Sequence, residues 1–237
     1  MILLDLHVLL FMYLSISTTV SQWYGLRHAS HFTPIRCKER RVYSLLQCAA
    51  LGRESKDVRF FFNIENKYCQ WNCTYIYRKQ TNDKEWNHYG VDEKRNAALF
   101  RPCSASSVFN NFHHFWGTTF ATDGVYLIFE TTQVFASGYE NAPWLTVILE
   151  GPLVISCVRV FNRLDRDGQR FHDVAFEVSN DGVSFKQRGF FKGPGMTEQV
   201  MEILFDYPTI GQYVRLQITQ GSSNILNLVE IEIYTTY

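Results

Sequence analysis

Three arginines and two aspartates lie within eight consecutive residues, from Arg163 to Arg170. A guanidinium group carries its N–H donors in a fixed planar fork, and two such groups in one loop can donate directed hydrogen bonds to the oxygens of a sugar. Asp165 can pair with a neighbouring arginine and fix its rotamer, which would preorganise the loop. The residue types therefore allow a sugar site in this loop. The alternative is a charged hairpin tip that binds nothing, which the charge pattern alone favours.

Strand-like segments surround this loop and fill the second half of the chain. They are apolar, or alternate apolar with polar residues, and comprise 145–149, 153–161, 174–178, 184–191, 213–218 and 228–234. Turn residues separate them, among them the hairpin signal Asn180-Asp181-Gly182. Short strands with no helix between them predict a mainly β fold, an antiparallel β-sandwich whose loops hold the candidate residues.

The composition of the whole chain narrows the function classes. Of 237 residues, 46% are hydrophobic and 19% are charged, which supports a packed core. The 23 Lys and Arg balance the 23 Asp and Glu, so no net positive charge favours nucleic acid or an anionic membrane. The sequence has no nucleophile elbow, zinc-binding His-Glu-x-x-His, P-loop or dinucleotide fingerprint. We therefore expect a binding protein rather than an enzyme, and no nucleic-acid partner.

The first 21 residues have the pattern of a secretory signal peptide. An apolar run from Val8 to Leu14 is followed by small polar residues and a cleavage position after Ser21. The seven apolar residues are far fewer than the roughly 20 that span a bilayer, and no later segment has that length. We therefore predict a secreted, extracellular protein with no membrane insertion.

Five of the six cysteines lie between Cys37 and Cys103, ahead of the strand-rich half. In an exported protein this density predicts a small domain that is held by disulfides. The segment 39–51 has helical spacing and the segment 58–64 has the length and aromatic content of a strand, so we expect a small α+β domain. The small polar segment 102–107 predicts a linker, with the domain boundary near residue 108.

One N-glycosylation sequon, Asn72-Cys73-Thr74, lies in this cysteine-rich half. It makes Asn72 the candidate glycosylation site of a secreted glycoprotein. A cysteine in the middle position would interfere with glycan transfer if Cys73 formed a disulfide early.

Four segments of the second half carry a family resemblance: Ala121-Thr122-Asp123-Gly124, Asn141-Ala142-Pro143-Trp144-Leu145, Val158-Arg159-Val160-Phe161-Asn162-Arg163 and Leu228-Val229-Glu230-Ile231-Glu232-Ile233-Tyr234. They resemble the discoidin superfamily of coagulation factor type C domains. Within it, residues 113–237 look most like the F-type, fucose-binding lectins, whose sugar motif is Arg-x-Asp, four residues, then Arg or Lys. Arg163, Asp165 and Arg170 fit that motif. The resemblance implies a discoidin-like β-sandwich that recognises glycans through this loop.

The same resemblance implies a structural calcium site at Asp123 and Glu230, which match two of the family's positions. Phe120 and Val125 stand where the family has Asn, so backbone carbonyl groups would have to complete the roughly six to eight oxygens that calcium takes. The family's sugar-contacting His would lie 27 positions before Arg163, where this chain has Ala136. We therefore predict glycan binding without assigning fucose as the ligand.

Three segments of the first half carry a second resemblance: Gln47-Cys48-Ala49, Arg59-Phe60-Phe61-Phe62-Asn63 and Lys67-Tyr68-Cys69-Gln70-Trp71. They resemble the PAN/apple family, whose modules bind proteins or carbohydrates, over residues 30–107. The resemblance implies a disulfide between Cys48 and Cys69 and an outer one between Cys37 and Cys103. Cys73 and Cys157 then remain, either as a link between the domains or with Cys157 as a buried thiol in its apolar strand.

Together these features predict a secreted lectin-like protein that binds glycans or extracellular glycoproteins through an Arg-rich loop. Three arginines in one loop also suit an acidic glycan. The alternative is an extracellular adhesion module that keeps the sandwich and binds protein instead of sugar, which the missing His at Ala136 favours.

Overall fold

The computed structural model of the protein describes residues 24–27, 32–77, 86–91, 95–126 and 132–235. It confirms the predicted fold class, because the protein is mainly β and its sheets are antiparallel. The predicted signal peptide, residues 1–21, lies outside the described residues. Among the described helices, none is long and apolar enough to cross a membrane.

The described residues form fifteen strands and two α-helices. The strands in chain order are β1 (Tyr24–Arg27), β2 (Phe32–Ile35), β3 (Lys38–Arg41), β4 (Arg59–Asn63), β5 (Tyr68–Trp71), β6 (Thr74–Tyr77), β7 (Asn87–Val91), β8 (Cys103–Ala105), β9 (Phe135–Ala136), β10 (Trp144–Phe161), β11 (Val174–Ser179), β12 (Lys186–Phe191), β13 (Gln199–Ile218), β14 (Asn227–Leu228) and β15 (Glu230–Thr235). The helices are α1 (Leu45–Glu54) and α2 (His113–Trp116). We call the described residues up to 91 the N-terminal unit, and those from 95 onward the sandwich.

The sandwich is organised around the two longest strands, β10 and β13. Its main sheet has the order β12-β11-β13-β10-β15, and β8 pairs with β10. Alternate apolar side chains of these strands pack into one core, in which Val147, Phe176, Leu216 and Ile231 are fully buried. Burial of such side chains supplies the main stabilising free energy of the fold.

The segments 145–149 and 153–161, which the sequence predicts as separate strands, form the single strand β10. The predicted break was wrong because both halves pair with the same partner, β13. The intervening turn residues produce only a shift of register between Ile148 and Leu153.

The N-terminal unit packs α1 against a five-stranded sheet of order β1-β7-β4-β5-β3. The predicted helix 39–51 was wrong in its bounds, because residues 38–41 form β3 and pair with β5. The helix begins after Ser44, whose side chain accepts a hydrogen bond from the Gln47 N–H. The helix continues through Gly52 to Glu54. A Cβ at Gly52 would lie 3.2 Å from the Phe60 ring, so glycine allows the helix to approach β4 closely.

Two disulfides staple the N-terminal unit. Cys48 and Cys69 join α1 to β5, the pair that the resemblance implies. The implied pair of Cys37 and Cys103 is wrong, because Cys37 is bonded to Cys73. β2 pairs with β6 and brings the segment after β2 to the start of β6, whereas Cys103 lies on β8 beside Val147 of the sandwich.

The segment that the sequence assigned to a linker belongs to the sandwich. Ala98 lies in the sandwich core, and residues 103–105 form β8. The hydroxyl groups of Ser106 and Ser107 both donate to the carboxylate of Glu140, at 2.7 and 2.5 Å. These small polar residues therefore attach the chain to the sandwich, and the prediction that they form a linker was wrong.

The N-terminal unit extends the main sheet of the sandwich. Residues Tyr75 and Ile76 of β6 pair with the first residues of β13, and β2 pairs with the other edge of β6. Phe61 of β4 and Tyr75 share a buried apolar cluster with Phe161 and Val200 of the sandwich. The two parts therefore share both a sheet and a core.

Candidate functional site

Arg163 and Asp165 form a two-bond ion pair at the start of the loop 163–170, which we call the Arg loop. Arg163 Nε donates to Asp165 Oδ1 at 2.8 Å and Nη2 donates to Oδ2 at 2.6 Å. The side chains are only 6% and 10% exposed. Burial tends to raise the pKa of Asp165, but the hydrogen bonds and charge of Arg163 outweigh it and hold that pKa below its usual value. The carboxylate therefore stays ionised and fixes the arginine, as the sequence predicts.

The other charged residues of the Arg loop continue this pair as a series of alternating charges. Arg166 lies between the two aspartates, with its Nε 3.9 Å from Asp165 Oδ2 and 3.8 Å from Asp167 Oδ2. Arg170 Nη2 lies 3.2 Å from Asp167 Oδ2. The side chain of Arg166 is 71% exposed and that of Arg170 is 30% exposed. The loop thus turns Arg163 inward and presents Arg166 and Arg170 to solvent.

The structure brings together only part of the predicted set. Arg163 and Asp165 are in direct contact, whereas Arg170 pairs with Asp167 instead of Asp165. Arg163 Nη1 makes no hydrogen bond to any residue that the structure describes, so one edge of this guanidinium is not used within the protein.

A buried asparagine holds the Arg loop against the neighbouring turn. The side-chain Nδ2 of Asn162 donates to the carbonyl groups of Gly168 at 2.8 Å and Met196 at 2.9 Å. Its Oδ1 accepts from the Arg163 N–H at 3.0 Å. A Cβ on Gly168 would lie 2.2 Å from the Thr197 nitrogen, so only glycine fits there. From the sequence, Asn162 is noted only as the residue before Arg163 at the end of a strand. Its role in holding the loop is not predicted.

The N-terminal unit supports the Arg loop through two successive backbone hydrogen bonds. The Glu198 N–H donates to the Arg163 carbonyl at 2.7 Å, and the Tyr77 N–H donates to the Glu198 carbonyl at 3.2 Å. Arg36 also donates to the Met196 sulfur at 3.4 Å. Sequence reasoning missed these residues because the contacts join segments that are far apart in the chain, and no local pattern signals them.

Ala136 lies in β9, where the lectin resemblance would have a His. It is buried and pairs with Asn227 of β14. Both polar atoms of the Asn227 side chain are buried, and neither has a hydrogen-bond partner among the described residues. The position therefore offers no imidazole to a ligand.

An aromatic surface is formed by residues of the segment before β9 and by Tyr139 just after it. It consists of Phe109, Phe112, Phe115, Trp116 and Tyr139, whose rings contact one another. Phe112 is 47% exposed, Phe115 40% and Tyr139 59%. The carbonyl of Phe115 accepts from the Gln133 N–H at 2.7 Å, which fixes this segment beside the approach to β9.

Asp123 and Glu230, the predicted calcium ligands, face each other at the other candidate site. Gly124 N–H donates to Glu230 Oε2 at 3.1 Å, while Glu230 Oε1 is buried without a hydrogen-bond partner among the described residues. Burial raises the pKa of Glu230 to about 9, the Gly124 N–H opposes this, and the charges of Asp123 and Glu232 add to it. Two adjacent carboxyls with an unsatisfied oxygen fit a hard cation. In the part of the chain that the structure describes, no third His, Cys, Asp or Glu joins them as a ligand group.

The structure also places the predicted glycosylation residue and the cysteines of the sandwich. Asn72 is exposed, and its backbone N–H donates to the Asp57 carboxylate. Burial raises the pKa of the Cys103 thiol to about 12, although the contact with Thr122 opposes this. Cys157 is a fully buried thiol in β10.

Comparison with known protein families identifies the strand-rich part. Residues 102–231 match the family model of the F5/8 type C domain. The chain belongs to this family. The matched F5/8 type C domain includes β8, the aromatic surface, the Arg loop and both candidate calcium ligands. None of the curated proteins that were compared matches the chain.

Solved structures share the fold of this F5/8 type C domain. The lectin domain of lectinolysin, complexed with Lewis B antigen, is 22% identical and superposes with a TM-score of 0.51 over 62% of this chain and 100% of its own. A fucose-binding module of Streptococcus pneumoniae is 19% identical, with a TM-score of 0.51 over 60% of this chain and 99% of its own. An F-lectin from the serum of striped bass, Morone saxatilis, is 23% identical, with a TM-score of 0.53 over 60% of this chain and 48% of its own.

Proposed function

We propose that the protein is a secreted, non-enzymatic glycan-binding module whose F5/8 type C domain contacts its ligand through the Arg loop. The observation that carries the proposal is the buried two-bond pair of Arg163 and Asp165. Such a pair fixes a loop before a ligand arrives, so little conformational entropy is lost on binding. The ligands named for the solved structures of the same fold, Lewis B and fucose, support a saccharide as the ligand class.

In this proposal the arginines have different roles. Arg163 is a positioning residue, because its side chain is only 6% exposed and its fork is used by Asp165. Arg166 and Arg170 contact the glycan, because Arg166 is exposed, Arg170 is partly exposed, and each retains N–H donors beyond its pairing with the loop's aspartates. The loop carries one more positive than negative charge, which accommodates a neutral or an acidic glycan.

The N-terminal unit is in this proposal a PAN/apple-like module. The helix packed on an antiparallel sheet and the disulfide between Cys48 and Cys69 support that assignment. Its role is to hold the turn at Glu198, which supports the Arg loop through its bond to Arg163. Its disulfides and the exposed sequon at Asn72 support an extracellular location.

A structural calcium ion is part of the same proposal. Asp123 and Glu230 would hold it, together with backbone carbonyl groups. The unpartnered Oε1 of Glu230 supports this assignment. The ion's part is structural, because it would join the loop at Gly124 to β15.

The aromatic surface favours a second candidate function, a protein-binding adhesion module on the same sandwich. Phe112 and Phe115 expose adjacent apolar rings, and the exposed Tyr139 joins the same surface through Phe109. Exposed apolar patches mark protein interaction surfaces. In this case the Arg loop would be a rigid structural turn without a sugar ligand.

A glycan array separates the two functions. The secreted, oxidised chain is screened with and without calcium, beside a variant that carries Arg166→Gln and Arg170→Gln. The matched control is Arg101→Gln, since Arg101 is 28% exposed and also pairs with a carboxylate, that of Glu150. Glycan signal that the double variant loses and the control keeps supports the lectin. A blank array from folded protein supports the adhesion module.

A further inference from the structure

A cleft with a volume of about 470 Å³ lies between the N-terminal unit and the sandwich, and no residue of the Arg loop lines it. Ser55 and Lys56, directly after α1, form one wall, and residues of β12 and β13 form the other. The volume falls within the roughly 300–1,000 Å³ of small-ligand sites, which occur preferentially at such junctions. Neither part of the chain forms this cleft alone.

Arg188 of β12 is the best-placed polar residue of the cleft. Its guanidinium lies over the ring of Tyr207, with its carbon 4.9 Å from the ring centroid. Its Nη1 donates to the Tyr207 hydroxyl oxygen. Two contacts with the same tyrosine therefore hold the guanidinium in one orientation.

The opposite edge of the Arg188 guanidinium is not used within the described protein. Its Nε is buried and has no hydrogen-bond partner among the described residues. The equivalent Nε–Nη2 edge of Arg163 binds Asp165, and that of Arg59 binds Glu202. This edge matches a planar or tetrahedral oxyanion, so Arg188 has the geometry for an acidic group that the chain itself does not supply.

The other charged residues that line the cleft are Lys56, on the facing wall, and Glu202. Glu202 is the only acidic residue among the residues that line the cleft in the described structure. Its carboxylate already binds Arg59 and Arg159, so its negative charge is compensated by these two buried arginines.

Aromatic rings flank these cations. Tyr207 is 48% exposed and Phe190 is 41% exposed, and both line the cleft. Their flat apolar faces suit the C–H face of a sugar ring, while the unused edge of Arg188 suits a sulfate oxygen. We propose that this junction cleft is a second ligand site, specific for a sulfated saccharide, with Arg188 as the sulfate-binding residue.

The test is a calorimetric titration of the full secreted chain with a heparin-derived disaccharide. Its unsulfated counterpart, sodium sulfate and a phosphotyrosine peptide serve as comparison ligands. We expect binding of the sulfated disaccharide alone, and weaker binding at higher salt because the contact is ionic. Binding of sodium sulfate at equal affinity, tighter binding of the phosphopeptide, or no binding would overturn the proposal.

Variants locate the site. Arg188→Ala is expected to lower the affinity at least tenfold, and Arg188→Lys several-fold because it keeps the charge but loses the fork. Tyr207→Phe keeps the ring and removes the hydroxyl that orients Arg188, so a smaller loss is expected with the fold retained. Lys186→Ala is the matched control, since Lys186 is exposed on the same strand and does not line the cleft. An equal loss in Lys186→Ala, or none in Arg188→Ala, would contradict the assignment.

The Arg166→Gln and Arg170→Gln variant separates this site from the Arg loop. If the junction cleft binds the disaccharide, this variant retains full affinity for it. Loss of binding in this variant would place the saccharide at the Arg loop and overturn the second site. The glycan-binding function proposed for the Arg loop would stand in that case.

Discussion

Arg59 of the N-terminal unit and Glu202 of the sandwich form a buried ion pair across the junction. Arg59 donates to the carboxylate through Nε, at 2.7 Å, and through Nη2, and both side chains are only 4% exposed. Arg159 of β10 donates to the same carboxylate and also binds Glu232. Two positive and two negative charges thus compensate one another inside the protein, and the two parts of the chain share this network.

Removal of Arg59 should therefore destabilise the whole protein. In Arg59→Ala, Glu202 keeps Arg159 but loses half of its charge compensation while it remains buried, which costs about 3–5 kcal/mol of unfolding free energy. Arg40→Ala on β3 is the control, because Arg40 is exposed and should change the stability little. Urea denaturation followed by fluorescence and circular dichroism should give one shared transition. Two separate transitions in the wild type would contradict a common folding unit.

The same network predicts how stability depends on pH. Burial tends to raise the pKa of Glu202, but attraction to Arg59 and Arg159 outweighs it and keeps the pKa below the ordinary value of 4.5. A carboxyl with a lowered pKa in the folded state contributes stability that is complete above its unfolded pKa and is lost as the pH falls through the folded one. We expect Glu202→Gln to be destabilised at pH 7, and the difference from wild type to shrink below about pH 4.5. A difference that stays constant from pH 7 to pH 3 would contradict this assignment.

The cysteines give a chemical test of the N-terminal unit. Peptide mapping without reduction should find Cys37 bonded to Cys73 and Cys48 to Cys69. Cys103 should resist iodoacetamide at pH 8 in the native protein, because burial holds the pKa of its thiol at about 12 and little thiolate forms. Fast alkylation of Cys103, or a peptide that joins it to Cys37, would show that β8 does not dock as described.

Calcium should stabilise the protein through Glu230. At about 100 times its Kd, calcium is expected to raise the Tm of the wild type by about 5–10 °C. Glu230→Gln removes one of the two facing carboxylates, so its Tm should not respond to calcium. Glu150→Gln is the control, since Glu150 is exposed and distant from Asp123 in the sequence. An equal Tm shift in all three proteins, or none in the wild type, would argue against an ion at this position.

Local sequence patterns predicted the elements of this fold more accurately than their connections. The strand of Arg59–Asn63 and the alternation of Val174–Ser179 follow from side-chain period, and the sandwich follows from their succession. The start of α1 was misplaced because the β3 pairing with β5 outweighs the helical spacing before Ser44. Tertiary pairing of this kind has no local signal.

In the candidate site too, the sequence predicts the local contacts but not the long-range ones. The pairing of Arg163 with Asp165 is a contact between residues two positions apart, so the sequence predicts it. The support from Glu198 and the disulfide of Cys37 with Cys73 depend on β6, which pairs with distant segments. Long-range contacts of this kind appear only once the sheet is assembled.

Direct measurement of glycan affinity tests the central claim that the Arg loop binds a saccharide. The glycan with the strongest array signal is titrated into the wild type, the Arg166→Gln and Arg170→Gln variant, and the Arg101→Gln control. Each charge-assisted hydrogen bond contributes about 1.5–3 kcal/mol, so the double variant should bind at least tenfold more weakly with an unchanged Tm. The control should bind like the wild type. Equal affinity in all three proteins would contradict a ligand site at the Arg loop.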